Sequence, residues 1–350
     1  MRNSRCKDIP DSSGKSFLSS LVITLFICIL AATGLNADEQ RADSNFPGSC
    51  TIFTVSRGES VFFGNNEDWY DPLTYIWVEP PDSGSYGILC FGYENLYPQG
   101  GINEKGLAFD ANALPRITMK KNQDGLKPYE AIVNEIIMRK CATVSEAIET
   151  AKSYDWSQCY GGRLDGQFLL ADASGDAVVI GADSSGELVF TRKQEGDGFL
   201  VSTNFNRADP ENRYGRYPCK RYDTTVEMLG RIGSDDDLTV ESLASILDEV
   251  HAEGRKINTL YSNVFDLKKG LVYLYFWHRV DHPVTIDVAD IIARNPQPAR
   301  IASLFPDQIV KEAGREYRNY QRRLKMILGG WLVLMTGFVA FILFRKVRGK

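Results

Sequence analysis

The side chains best suited to covalent chemistry in this chain are its cysteines, because a thiolate is both a nucleophile and a metal ligand. There are seven: Cys6, Cys28, Cys50, Cys90, Cys141, Cys159 and Cys219. Only three histidines accompany them: His251, His278 and His282. No two of these lie at a metal-ligand spacing and no C-x-x-C pair occurs, so neither a zinc site nor a dithiol redox motif is expected. No metal or cofactor is implied. A thiol that acts as a nucleophile has an ordinary pKa of ~8.5 and needs a base. Asp68, Asn112, Asn204 and Arg221 are, on their own, scattered polar residues. No spacing rule ties these residues to Cys50 or to one another.

Three strings in order supply the tie. Gly48-Ser-Cys-Thr-Ile-Phe53, Gly64-Asn-Asn-Glu-Asp-Trp69 and Gly101-Ile-Asn-Glu-Lys-Gly-Leu107 resemble the choloylglycine hydrolase and penicillin V acylase family of N-terminal-nucleophile hydrolases. They are equally similar to the isopenicillin N acyltransferase branch of the same superfamily. The resemblance covers Cys50 to His282. It implies that Cys50 starts the mature chain and attacks an amide, and that Asp68 holds its α-amino group. It further implies that Asn204 and Asn112 serve as oxyanion donors and Arg221 as the active-site arginine, with Arg216 as its competitor. In the bile-salt branch an arginine follows the glycine of the second string. Here Asn65 stands there, as an uncharged amide does in the acyltransferase branch.

The implied chemistry is physically sound. An α-amino group has a pKa of ~7.7–8.0, so a cysteine at a chain terminus carries its own base close to neutral pH. No histidine is needed, but the Ser49–Cys50 bond must be cut, since an amide nitrogen is no base. The implied activity is hydrolysis of linear amide C–N bonds in a small-molecule N-acyl substrate through a thioester. An N-acyltransferase of the isopenicillin N type is the alternative. Trp69, Tyr70, Tyr75 and Trp77 could line an acyl pocket. A papain-like reading would pair Cys50 or Cys159 with His278. A third possibility is an inactive, membrane-tethered binding protein. Asn103 is read as structural, with Gly106 supplying a positive φ in a hairpin.

The elements that must position these groups are alternately β-rich and helical. Thr51–Ser56 and Ser60–Gly64 form a hairpin, followed by strands at Tyr75–Val78, Tyr86–Phe91 and Leu107–Phe109. Pro128 opens a helix to about Lys140, and Thr143 with Glu146 caps the next one. Strands follow at Phe168–Ala171, Ala177–Ile180, Glu187–Phe190 and Phe199–Ser202. Helices at Lys220–Arg231 and Thr239–His251 precede strands at Leu260–Phe265 and Leu271–Trp277. Runs of strands and runs of helices indicate an α+β class. The resemblance narrows this to a four-layer αββα sandwich.

A basic, then apolar, then small-residue pattern over residues 1–37 reads as a signal peptide, and polar residues 38–49 as a removed pro-segment. The catalytic domain spans 50–300, a connector 301–325, and uncharged 326–344 is long enough to cross a bilayer. Basic 345–350 is then a cytoplasmic tail. These features place the domain outside the cytoplasm on a membrane anchor. The net charge of −5 argues against nucleic acid as a partner, and the resemblance allows a homo-oligomer.

Overall fold

The computed structural model of the chain describes residues 50–121, 126–128, 131–209, 218–254 and 257–348, without the side chains of 128, 158–160, 324 and 346–347. The expected leader and pro-segment, the Cys159 thiol and Arg216 therefore lie outside the described residues. Strands β1 (Thr51–Arg57) and β2 (Ser60–Trp69) form the expected hairpin, with Gly58 in its turn at φ +53°. β2 runs five residues beyond the expected Gly64. Its polar stretch Asn65–Asp68 is strand rather than loop because β1 and, later, β13 pair with it on both sides.

Strands β3 (Thr74–Glu79), β4 (Ile88–Tyr93), β5 (Pro98–Asn103) and β6 (Ala108–Thr118) continue as an antiparallel meander. β5 escaped the sequence reading because two glycines and a proline interrupt any alternation. Its end turns at Gly106, φ +83°, where the Asn103 carboxamide accepts from the N–H of Lys105 and Leu107. The structural role assigned to Asn103 holds.

Pro128 does not open a helix. Together with Lys127 it forms β7 (Lys127–Pro128), paired in parallel with β8 (Tyr154–Asp155). A two-residue edge strand makes little demand on the N–H that proline lacks. The helix begins at Ile132 as a π-wound turn, Ile132–Ile137, and runs into α1 (Met138–Lys140). Its apolar stripe is buried as the periodicity requires. Helix α2 (Val144–Lys152) has the expected capping box, Thr143 with Glu146.

β9 (Arg163–Ala171), β10 (Ala177–Ala182), β11 (Leu188–Arg192) and β12 (Phe199–Ser202) follow, then α3 (Lys220–Gly230) and α4 (Val240–Glu249). The chain returns through β13 (Asn258–Asp266), β14 (Leu271–Phe276) and β15 (Val284–Asp287). Helix α5 (Val288–Arg294), β16 (Ala299–Arg300) and the long α6 (Asp307–Arg348) complete it.

Two antiparallel sheets result, of order β12-β1-β2-β13-β14-β15 and β11-β10-β9-β6-β5-β4-β3-β16. Their facing sides share one apolar layer, with Ile52, Val61, Phe63 and Phe265 from the first and Leu89, Phe91, Ile102 and Leu169 from the second. The outer side of the first sheet packs on α3 and α4 through Phe53, Phe62, Leu229 and Leu243. The outer side of the second packs on the Ile132–Lys152 helices. Helix, sheet, sheet and helix are thus stacked in the expected order.

Period-two alternation now assigns faces. On β2, Val61 and Phe63 face the second sheet, so Asn65 and Glu67 do too, while Gly64, Asn66 and Asp68 face the helices. Accordingly the Asn66 carboxamide donates to Leu247 O of α4 at 2.8 Å. The N-terminal third of α6 is docked on the domain through buried Ile309 and Ala313, while Met326 to Phe344 is largely exposed. The Phe265 ring meets Phe63 and Phe91 edge-on at 5.6 and 5.9 Å and so ties the two sheets together. Phe265→Ala should lower stability by about 3–5 kcal/mol, measured by denaturant unfolding. A loss below about 1 kcal/mol would show that this contact does not hold the layers together.

Candidate active site

Cys50 immediately precedes β1 and shares the parity of Ile52, so its thiol is aimed into the inter-sheet layer, where it is buried. The fold gathers the other four sequence-selected residues around it. Asn112, on β6 of the opposite sheet, donates from Nδ2 to Cys50 O at 3.1 Å. Arg221, in the first turn of α3, donates from Nη1 to the same oxygen at 2.7 Å and to Thr51 Oγ1 at 2.7 Å. Its other fork, Nη2, reaches Asn204 Oδ1 at 2.9 Å. The Asn204 amide donates in turn to Ala113 O at 3.0 Å. Asp68 lies on the helix-facing side of β2, with its carboxylate accepting from the Thr259 hydroxyl of β13. Two amides and a planar cation thus converge on the backbone of the residue that bears the thiol, groups of the kind that can stabilise an oxyanion.

This arrangement is held by residues that no sequence motif marked. Gln167, the cross-strand partner of Asn112, donates from Nε2 to Ser202 Oγ, Thr203 O and Phe205 O at 3.0, 2.9 and 2.9 Å. It thereby fixes the segment that carries Asn204. Ser202 donates onward to Asn112 Oδ1, which orients the amide so that its N–H₂ points at Cys50. The useful signal was positional: Gln167 is a long amide directly before the apolar run Phe168–Ala171 of its strand.

Glu67 is the larger omission. Its Oε2 accepts from the Cys50 thiol at 3.7 Å, and its Oε1 accepts from the Tyr93 hydroxyl of β4. Burial pushes the Glu67 carboxyl up to about 8, and the charge of Asp68 adds to this. The Tyr93 and Cys50 hydrogen bonds pull the other way. Asp110, from β6, faces the same space, and its pKa is raised first by burial and then by Glu67. The Cys50 thiol is itself pushed up by burial and by Glu67, Asp68 and Asp110. The Asp68 backbone N–H opposes this.

Two expectations need correction. Trp69 and Tyr70 do stand near the site, Trp69 stacking on Tyr93 at 5.4 Å and on Tyr70 at 4.8 Å. Tyr75 and Trp77 do not, because β3 alternation turns them to the far side of the second sheet, against the Ile132–Lys152 helices. His278 is no partner for a papain-like thiol. Its Nε2 meets Glu316 of α6 at 2.9 Å and its ring stacks on His251 at 4.7 Å. Among the described residues no cluster of His, Cys, Asp and Glu could hold a metal.

A carboxyl raised by burial makes a pH prediction with a definite sign. Glu67 ionises in the unfolded chain near its ordinary value of 4.5 but in the fold only near 8. Its contribution to stability is therefore complete below about pH 4.5 and is lost as pH rises through about 8. Glu67→Gln should raise Tm relative to wild type at pH 8 more than at pH 5. A difference that does not change with pH would show that Glu67 is not held protonated.

Comparison with known proteins bears on the fold and the family. Residues 55–279 match the family described as acyl-coenzyme A:6-aminopenicillanic acid acyl-transferase. Among solved structures, a variant of the conjugated bile acid hydrolase of Clostridium perfringens superposes with a TM-score of 0.56 at 16% identity, covering 72% of this chain and 96% of that one. A second variant of the same hydrolase gives 0.53 at 15%, covering 69% and 93%. The penicillin V acylase of Agrobacterium tumefaciens gives 0.52 at 19%, covering 69% and 86%. No curated protein matches the chain. At these identities the structural likeness speaks for the fold. The family match spans most of the chain, and by it this protein belongs to the acyl-coenzyme A:6-aminopenicillanic acid acyl-transferase family.

Proposed function

We propose that the protein is an N-terminal-nucleophile amidohydrolase that cleaves linear C–N bonds of N-acyl compounds through a thioester on Cys50. One observation carries this reading: the buried Cys50 is held at its carbonyl by Asn112 and Arg221, with Asn204 locked to the same guanidinium. Removal of the chain before Cys50 frees an α-amino group beside the thiol, and Asp68 orients that amine.

The amine takes the thiol proton as Sγ bonds to the substrate carbonyl carbon. The resulting oxyanion is met by the amides of Asn204 and Asn112 and by the charge of Arg221. The C–N bond then breaks, and the leaving nitrogen departs with the proton held by the amine. Water attacks the thioester, releases the acid and returns a proton to the thiol. Trp69, Tyr70 and Tyr93 offer an aromatic wall to an apolar acyl group. The match to an acyl-transferase family favours a second reading, in which an amine rather than water resolves the thioester.

Helix α6 passes the length and composition required of a membrane span, and its apolar stretch is unburied. We therefore place the catalytic domain on a membrane anchor, with its site outside the cytoplasm.

Sequencing the N-terminus of purified protein should return Cys-Thr-Ile-Phe. Cys50→Ala should leave the preceding residues attached and abolish turnover of a chromogenic N-acyl anilide. Asp68→Asn should lower kcat/KM on that probe by about 100-fold. Adding an acceptor amine distinguishes the two readings: a hydrolase keeps releasing acid, whereas a transferase diverts the acyl group into a new amide. Active protein that still carries Ser49 rules out both.

A further inference from the structure

The mechanism above leaves one step without a base. Until the Ser49–Cys50 bond is cut, the nitrogen of Cys50 is an amide and takes no proton. The thiol nevertheless has to be activated to open that bond if the chain cuts itself. The Glu67 carboxylate lies against the thiol, Oε2 to Sγ 3.7 Å, and the mechanism of substrate turnover makes no use of it.

We infer that Glu67, steadied by Tyr93, is the general base of self-cleavage at Ser49–Cys50. The inference rests on the proposed removal of the chain before Cys50. Glu67 Oε2 accepts the Sγ proton while sulfur bonds to the Ser49 carbonyl carbon. That carbon then releases the Cys50 nitrogen, which receives the proton from Glu67 and becomes the free amine. Water hydrolyses the thioester, leaving a carboxylate on Ser49, one proton on sulfur and the other on the new amine. Atoms and charges balance with water as the sole co-reactant. The freed amine then serves as base in turnover, and Glu67 is no longer required for it.

The surroundings fit this role. Glu67 is buried on the inter-sheet face of β2, so its proton affinity is set by few groups: Cys50 ahead of β1, Asp68 beside it, Tyr93 on β4, Asp110 on β6 and Tyr261 on β13. All of these are acids, and none supplies a cation to hold Glu67 ionised. Burial therefore raises its proton affinity toward that of a thiol, so it accepts the Sγ proton more readily than an ordinary carboxylate would. Among the described residues, the Tyr93 hydroxyl is the one side chain outside the reacting pair that hydrogen-bonds the carboxylate. Tyr93 is held in turn by stacking on Trp69. At the position before Glu67, Asn66 faces α4, so the acid and the structural amide are separated by strand parity alone.

The test follows cleavage of the full chain by gel mobility and N-terminal sequencing across pH 5–10. Wild type should be cut with an acid limb near pH 8. Glu67→Gln should be cut about 100-fold more slowly at pH 7.5, recovering at high pH as the thiol ionises unaided. Glu67→Asp should restore part of the rate. Tyr93→Phe removes a bond that favours the charged carboxylate, so its acid limb should move to higher pH. Cleavage of Glu67→Gln at the wild-type rate overturns the inference and leaves the nucleophile assignment standing. So does a Glu67→Gln chain uncut at every pH while Tyr93→Phe keeps the wild-type limb. If wild type itself is not cut before Cys50, or Cys50→Ala is cut, the N-terminal-nucleophile reading fails and the inference goes with it.

Discussion

A thiol sealed between two sheets has little water to take its proton, so proton transfer at Cys50 falls to a neighbouring group. That constraint explains the polar character of an otherwise apolar layer. One end of the inter-sheet space is filled by Phe63, Phe91 and Phe265. The other holds Cys50, Glu67, Tyr93, Asp110 and Tyr261, all buried or nearly so. Burial raises the proton affinity of every acid there, so at neutral pH the cluster tends toward its protonated, uncharged form. The layer can therefore remain dry without unpaired charge, at the cost of making each ionisation depend on its neighbours. Asn65 and Asn263 face each other across β2 and β13 in the same layer. Their four amide atoms are buried without hydrogen-bond partners among the described residues, which marks this end as polar space and not closed core.

The positive side of the site is built from outside that layer. Arg221 enters from α3 and engages the Cys50 carbonyl, Thr51 and Asn204 at once, using the planar fork that a lysine lacks. Asn112 enters from the opposite sheet, so the carbonyl of Cys50 is gripped from both halves of the sandwich. A small shift of one sheet against the other would separate these donors. The aromatic packing across the layer is thus also what keeps the site in register. Gln167 and Ser202 extend the same logic by locking the β12 end to β9.

In the reaction proposed above, the outcome turns on what resolves the acyl-enzyme. Hydrolysis and transfer share a nucleophile, an oxyanion site and a thioester, and they differ only in access of water or amine to that thioester. Asn65, an uncharged amide, faces the inter-sheet layer two residues before Glu67 on β2. Trp69 stacks on Tyr93 and lies against Tyr70, which puts an aromatic surface beside Glu67. Tyr317 of α6 reaches Tyr70 O at 3.5 Å, so the aromatic wall and the long helix are in contact.

Much of this was legible in the chain. Alternation and turn glycines placed most strands of the sandwich, and the Thr143–Glu146 box placed α2, because these signals are local and period-bound. Cys50, Asp68, Asn112, Asn204 and Arg221 could be selected by likeness to a family whose motifs retain their chain order. Glu67 could not. It stands one residue before Asp68 in a polar run, and nothing local shows that strand parity turns one acid to the helices and the other to the thiol. Tyr93, Gln167 and Ser202 were equally hidden, since each matters through a partner 26 to 90 residues away. Pro128 was misread because proline suits a helix start and an edge strand alike, and only pairing with β8 decided between them. Local geometry is written in neighbouring residues, whereas proton affinity at a buried site depends on what the opposite sheet brings to it.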